Sequence, residues 1–194
     1  MSMIRADHLT FSYAGAQPVF EDVGFVIDTE WKLALVGRNG RGKTTLLQLL
    51  AGRYAYSGNI HASVRFSYFP CEIQDGSCLT REVLQTIAPF AQEWEMLREL
   101  SWLALDEEVL DRPFDTLSQG EQTKVQLAAL FLDEDSFQLI DEPTNHLDAD
   151  AKAELKRALK DYKGSILMVC HEPEFYEGLA TGVWDCSAWS TKRG

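Results

Sequence analysis

The sequence has 194 residues, 45% of them hydrophobic and 25% charged; that suffices for one domain with a real core and is ordinary for a globular protein. No run approaches the ~20 apolar residues of a membrane helix, and the first ten residues lack a secretory apolar stretch, so a cytoplasmic location without membrane insertion is expected. The net charge of −12 divides into +2 over residues 1–70 and −14 over residues 71–194, an acidic excess that speaks against unaided binding to nucleic acid.

In chain order, Ile4–Phe11 and Val23–Asp28 read as strands flanking a turn at Gly15–Pro18. Lys32–Gly37 is a short apolar strand ending in glycine. Lys43–Ala51 follows as a helix, with Leu46, Leu49 and Leu50 on one face. Val64–Phe69 reads as a further strand. Residues 80–112 are expected to be mostly helical, with Phe90, Trp94 and Leu97 at helical spacing. Gly120–Leu132 is apolar almost all round, as a buried helix is. Phe137–Asp141 is a strand, and Asp148 is placed to cap a helix over Ala149–Tyr162 that carries a Leu155, Ala158, Leu159, Tyr162 stripe. Ile166–Cys170 is an uninterrupted apolar strand, and Val183–Asp185 another. Strands and helices alternate in the second half, which predicts an α/β core with a parallel sheet. Cys71, Cys78, Cys170 and Cys186 have no metal-ligand spacing and are expected to be free thiols.

Gly37-Arg38-Asn39-Gly40-Arg41-Gly42-Lys43-Thr44 fits the phosphate-loop pattern G-x-x-x-x-G-K-[ST] without a gap, between a predicted strand and a predicted helix. Glycines let backbone N–H groups turn inward around phosphates, and the helix N-terminus adds positive potential. Lys43 supplies a charge for the β- and γ-phosphates, and the Thr44 hydroxyl is a hard oxygen suited to Mg²⁺. Arg41 is not demanded by the pattern; it either approaches the γ-phosphate or points to solvent. The strand 137–141 ends in Asp141 and Glu142. Paired carboxylates there suit a polar site, Asp141 for Mg²⁺ and Glu142 for polarising an attacking water. Ser118 begins the buried helix. It either caps that helix with the support of Glu121 or, together with Gly120, makes a second anion-binding helix start. His171 follows a central strand, at the end where α/β proteins bind ligands.

These motifs, in this order, resemble the ATP-binding-cassette (ABC) ATPases over nearly the whole chain. The resemblance implies one nucleotide-binding domain over residues 1–194, with a mostly parallel core sheet, an N-terminal antiparallel β-subdomain and a small helical subdomain over roughly residues 76–132. Gly37–Thr44 looks like Walker A, with Thr45 beside it, and Leu139–Glu142 like Walker B. Leu117-Ser118-Gln119-Gly120-Glu121-Gln122 looks like the signature loop, Asn145–Asp148 like the D-loop, and His171 like the switch histidine. Tyr13 sits where the family places an adenine-stacking aromatic; otherwise it is a core tyrosine at a strand end.

The run Asp141–Asp148, Glu121 after the signature glycine, and Gly37-Arg38-Asn39-Gly40 resemble the ABC-F group, soluble proteins with two cassettes in one chain, many acting on ribosomes. Trp31-Lys32-Leu33, Arg41 and Pro113-Phe114 point to the first cassette of the branch associated with resistance to lincosamides, pleuromutilins and streptogramins. The family mechanism implies Mg·ATP held between two head-to-tail cassettes, in the same longer chain or in a homodimer. Lys43, Glu142 and His171 act at one site, and Leu117–Glu121 contact the ATP held by the partner. Three positions depart from the pattern. Gln119 stands where most members have glycine, Cys170 where they have serine, and Cys71 where the Q-loop glutamine belongs, with Gln74 a substitute if the loop is displaced. The competing readings are the ATPase subunit of a membrane transporter and a nucleotide-gated module with negligible turnover. The 75 residues from Lys43 to Ser118 are short for the transporter, and Glu142 and His171 speak against the module. With one motif set and a chain ending soon after residue 185, half of a two-cassette protein is expected.

Overall fold

The computed structural model describes residues 3–133, 135–145 and 147–186. The chain forms two compact units. One comprises Met1–Ser67, Asp135–Glu142 and Ser165–Gly194; the other comprises Tyr68–Glu134 and Pro143–Gly164.

In the first unit, β1 (Met3–Phe11) pairs antiparallel with β2 (Phe20–Asp28) and with β4 (Ser57–His61), in the order β2-β1-β4. Alternate residues of β1 and β2, among them Ile4, Ala6, Phe25 and Ile27, are buried, as one covered face requires. The larger sheet has the order β5-β6-β7-β3-β8, from β5 (Arg65–Phe69), β6 (Ser136–Asp141), β7 (Ile166–Val169), β3 (Lys32–Val36) and β8 (Gly182–Asp185). Its β6–β7, β7–β3 and β3–β8 pairs are parallel. Every residue of β7 and five of six in β6 are buried, which is why these strands carry no polar alternation. The helix α1 (Lys43–Leu50) starts seven residues after β3 ends. Its Leu46 and Leu47 are fully buried, each contributing about 2 kcal/mol.

The second unit holds α2 (Thr80–Ile87), α3 (Glu93–Trp102), α4 (Gln119–Phe131) and α5 (Ala149–Asp161), with two 3₁₀ turns at Glu107–Asp111 and Phe114–Thr116. Both α2 and α3 pack on α4. Val125 and Leu127–Phe131 of α4 are buried, as its all-round apolar sequence predicts. Asp148 caps α5, accepting from the Ala151 N–H at 2.8 Å. Glu82, Glu95 and Glu121 accept from the backbone N–H of Leu79, Gln92 and Ser118 at 3.0, 2.7 and 2.8 Å. Part of the acidic excess after residue 70 therefore closes helix starts.

Residues 80–112 are mostly helical, as expected, but in separate pieces: α2 ends at Ile87, since Pro89 disfavours the helical conformation at Ala88. The helical spacing of Phe90 with Trp94 and Leu97 is the expectation that is corrected. Phe90 then falls between helices and is 92% exposed, and Trp94 is 60% exposed, so Phe90, Trp94 and Leu97 form no core stripe; Met96, Leu100 and Leu103 are the buried set. The strand β4 was not foreseen, because Ser57–His61 is polar and mostly exposed.

Candidate active site

The segment from Gly37 to Thr45 links β3 to α1. Gly37, Gly40 and Gly42 have φ of +134°, +77° and +90°, conformations that L side chains avoid. Gly42 is further constrained: a Cβ there would lie 2.5 Å from Val19 Cγ1 and 2.8 Å from Phe20 Cζ. The loop is thus pressed against the residues that open β2. Lys43 is buried, and its Nζ donates to the carbonyl oxygens of Gly37 and Arg38 at 2.8 and 3.2 Å. Thr44 Oγ1 donates to Asp141 Oδ1 at 3.1 Å, so α1 and the end of β6 meet through two hard oxygen groups. Beneath Gly37 lies Cys186, fully buried, with its thiol pushed up to about 11 by desolvation. It is a packing group, not a nucleophile.

Glu142 follows β6 with φ +50°, uncommon for a residue other than glycine. Its N–H donates to Val169 O at 3.1 Å, which ties the end of β6 to β7. His171, two residues past β7, places Nε2 3.0 Å from Glu142 Oε1. Both side chains remain over a third exposed, so water reaches the pair. Tyr13 follows β1 and hydrogen-bonds Thr45 Oγ1 through its hydroxyl at 3.0 Å. Its ring meets Phe11 and Tyr54 edge-on, with centroids 4.9 and 5.6 Å away. Tyr54 was missed from sequence, since nothing at that position marks it as a neighbour of Tyr13.

A cavity of about 260 Å³ is lined by Tyr13, Val19, Asn39, Gly40, Gly42, Lys43, Thr44, Thr45 and Glu142. Of the anticipated loop residues, Gly37 and Arg38 instead hold the Lys43 ammonium, and Arg41 is half-buried outside the lining. The cavity joins an exposed aromatic ring, a lysine, the Thr44 hydroxyl and the Glu142 carboxylate; Asp141 and His171 hydrogen-bond to the last two without lining it. That set fits a magnesium nucleotide triphosphate: the side chains of the lining that suit a cation, Thr44, Thr45 and Glu142, offer hard oxygens.

A family model described as ABC transporter matches residues 20–145. The chain belongs to the ABC transporter ATPase family. The family binds ATP, usually with Mg²⁺, and hydrolyses it, with its cassettes working in pairs. The cassette is 39% identical over 90% of its length to the uncharacterized ABC transporter ATP-binding protein YfmM of Bacillus subtilis, covering 35% of that protein. It is 29% identical over 98% of its length to human ATP-binding cassette sub-family F member 3, covering 28% of it. The cassette thus spans roughly a third of the length of these relatives. Its fold matches a solved structure from Pyrococcus furiosus, assigned provisionally as an ABC transporter ATP-binding protein. The TM-score is 0.82 at 23% identity, covering 97% of the cassette and 100% of that chain. The antiparallel and parallel sheets of the cassette are those of this architecture. Among the described residues no helix is long and apolar enough to cross a membrane.

The expected signature residues, Leu117–Glu121, lie in the second unit. Ser118 Oγ accepts from the Glu121 N–H at 3.2 Å. Arg112 Nη1 donates to Glu121 Oε1 at 3.2 Å. Gln122 Nε2 donates to the carbonyls of Phe114 and Leu117, both at 3.1 Å. The helix-cap reading of Ser118 and Glu121 is therefore realised in the fold, and the loop is fixed in shape. The Ser118 N–H, followed by the Ser118 hydroxyl and Arg112, holds the Glu121 carboxyl below its ordinary value. A lowered folded-state value means that stabilisation is present above the ordinary glutamate range and is lost as pH falls through the folded-state value. Glu121→Gln is expected to flatten the acid side of the stability–pH profile, at a cost of about 0.5 kcal/mol at neutral pH. Denaturant titrations between pH 3 and 7 check this; parallel profiles for parent and variant would remove the charge from the cap. In the Q-loop region, the Cys71 N–H donates to Gln126 Oε1 at 2.9 Å, and Gln74 is exposed. His146 of the anticipated D-loop and the residues from Ser187 onward lie outside the described residues.

Proposed function

We propose that this cassette binds Mg·ATP in the Tyr13–Glu142 cavity and hydrolyses it to ADP and phosphate when paired head to tail with a second cassette, as part of a cytoplasmic ABC-F protein acting on ribosomes. The observation that carries the chemistry is the convergence on one cavity of Lys43, Thr44 and Glu142, with Asp141 hydrogen-bonded to Thr44 and His171 to Glu142. Mg²⁺ arrives with the nucleotide as part of the substrate and offsets phosphate charge, with Thr44 and Asp141 as its protein-side oxygens. Lys43 exchanges its carbonyl contacts for the β- and γ-phosphates. The N–H groups at the start of α1 bind the same anion. The exposed Tyr13 ring stacks on adenine. Glu142 accepts the proton of the attacking water, and His171 orients that carboxylate and contacts the γ-phosphate. The Leu117–Glu121 loop serves the ATP of the partner cassette.

The ABC-F reading draws on the Asp141–Asp148 run and on relatives that include a sub-family F member. Within it, the resistance branch is favoured by Trp31-Lys32-Leu33, Arg41 and Pro113-Phe114. The alternative is the ATPase subunit of a membrane transporter. Pelleting with purified ribosomes, using ATP and Glu142→Gln to favour the closed state, separates them. The longest natural form is expected to co-pellet saturably, whereas this 194-residue chain is expected to remain in the supernatant at physiological salt, because its acidic surface opposes RNA. A full-length protein that ignores ribosomes would sink the ABC-F reading while leaving ATP binding intact.

A further inference from the structure

Three rings close a triangle beside the Tyr13–Glu142 cavity. Measured between centroids, Tyr13 lies 4.9 Å from Phe11 and 5.6 Å from Tyr54, and Phe11 lies 5.5 Å from Tyr54. Of the three, Tyr13 alone lines the cavity. Phe11 is buried at the end of β1. Tyr13 and Tyr54 are 39% and 38% exposed, so packing of the core does not account for their contact.

The triangle is anchored at both ends of α1. At its start, the buried Thr45 hydrogen-bonds the Tyr13 hydroxyl through Oγ1 at 3.0 Å. At its end, the Gly52 N–H donates to Leu49 O at 3.0 Å and the Arg53 N–H to Gln48 O at 2.9 Å, the pair of hydrogen bonds that closes a helix in a Schellman turn. Tyr54 is the next residue, so its ring is carried by the same helix whose start holds Thr45. The Tyr13 plane stands at 82° to Phe11 and at 84° to Tyr54, the edge-to-face arrangement that aromatic quadrupoles favour. With two rings set across it and its hydroxyl held, Tyr13 has few orientations left. Its ring is oriented before any base arrives, which removes an entropic cost from binding.

We propose that Tyr54 is a positioning residue for base recognition: it holds the Tyr13 ring in the orientation that receives adenine and acts on the nucleotide only through Tyr13. This rests on the reading of Tyr13 as the adenine-stacking ring given above. The consequence is selective. Affinity that comes from the base depends on Tyr54. Affinity that comes from the phosphates, through Lys43 and the start of α1, does not.

The test is calorimetric titration of the 194-residue chain with Mg·ATP and with magnesium inorganic triphosphate, which carries the phosphates without the base. Tyr54→Ala is expected to weaken ATP binding roughly three- to tenfold, the range of one aromatic pair, and to leave inorganic triphosphate binding unchanged. The second result also reports that the variant is folded. Tyr54→Phe keeps the ring and should bind ATP as the parent does. In a Tyr13→Ala background, Tyr54→Ala should cost nothing further, because the residue through which it acts is gone. Equal losses for ATP and inorganic triphosphate would make Tyr54 a support of the loop and overturn the proposal. So would a Tyr54→Phe loss as large as that of Tyr54→Ala, or a further loss in the double variant, which would place Tyr54 on the base itself. ATP affinity lowered by Tyr13→Ala but untouched by Tyr54→Ala would overturn the positioning role and leave the adenine-stacking reading standing. A Tyr13→Ala variant that binds ATP as tightly as the parent is a separate failure, which removes that reading and the positioning role with it.

Discussion

Lys43→Ala is expected to weaken ATP binding by roughly a hundredfold, about 3 kcal/mol. The Lys43 ammonium is buried and aimed by the carbonyls of Gly37 and Arg38, so its side-chain entropy is already spent before phosphate arrives. Charge-assisted hydrogen bonds to phosphate are the strongest polar contacts the loop can make. The glycine conformations and the Gly42 contact with Val19 and Phe20 do not depend on the lysine, so the variant should fold, and circular dichroism checks that. Titration with a fluorescent ATP analogue measures the loss. Equal affinities in parent and variant would move the nucleotide site elsewhere.

Glu142→Gln is expected to leave ATP affinity within about threefold of the parent and to slow hydrolysis by a hundredfold or more, the usual range for a general base. The carboxamide keeps the shape of the side chain and can still meet His171 Nε2, now 3.0 Å from the carboxylate. What it cannot do is take a proton. Bound ATP would then persist, and any ATP-dependent pairing of cassettes should increase, which sedimentation reads directly. Phosphate release at the parental rate would exclude Glu142 as the base. An unchanged sedimentation profile with slowed hydrolysis would separate the chemistry from the assembly.

The loop between β3 and α1 was legible because glycine spacing, a lysine and a hydroxyl would be demanded together by one ligand, and the expected strand before it and helix after it are both present. The buried strands β6 and β7 and the helix α4 were legible because continuous apolar sequence has few other uses. What stayed hidden depends on neighbours distant in sequence. Ser57–His61 is a strand because β1 supplies its hydrogen-bonding partners, and its own polar residues do not announce it. Residues 80–112 were legible as mostly helical, and the break after Ile87, which takes Phe90 out of helical spacing, turned on Pro89. Tyr54 reaches Tyr13 only through the fold, although 41 residues separate them. The Glu142–His171 contact likewise needed the parallel pairing of β6 with β7, which sequence predicts in kind but not in register.

Position 142 sets the interests of folding against those of the proposed chemistry. With φ at +50°, its backbone would be relaxed by glycine and tolerated by asparagine, whereas glutamate bears about 1 kcal/mol of conformational penalty. A library randomised at this codon and screened only for heat tolerance should therefore enrich glycine and asparagine and return stable proteins that no longer turn over. The same library screened for phosphate release should return glutamate. Divergence between the two winners would measure how much thermal robustness this carboxylate takes from the molecule.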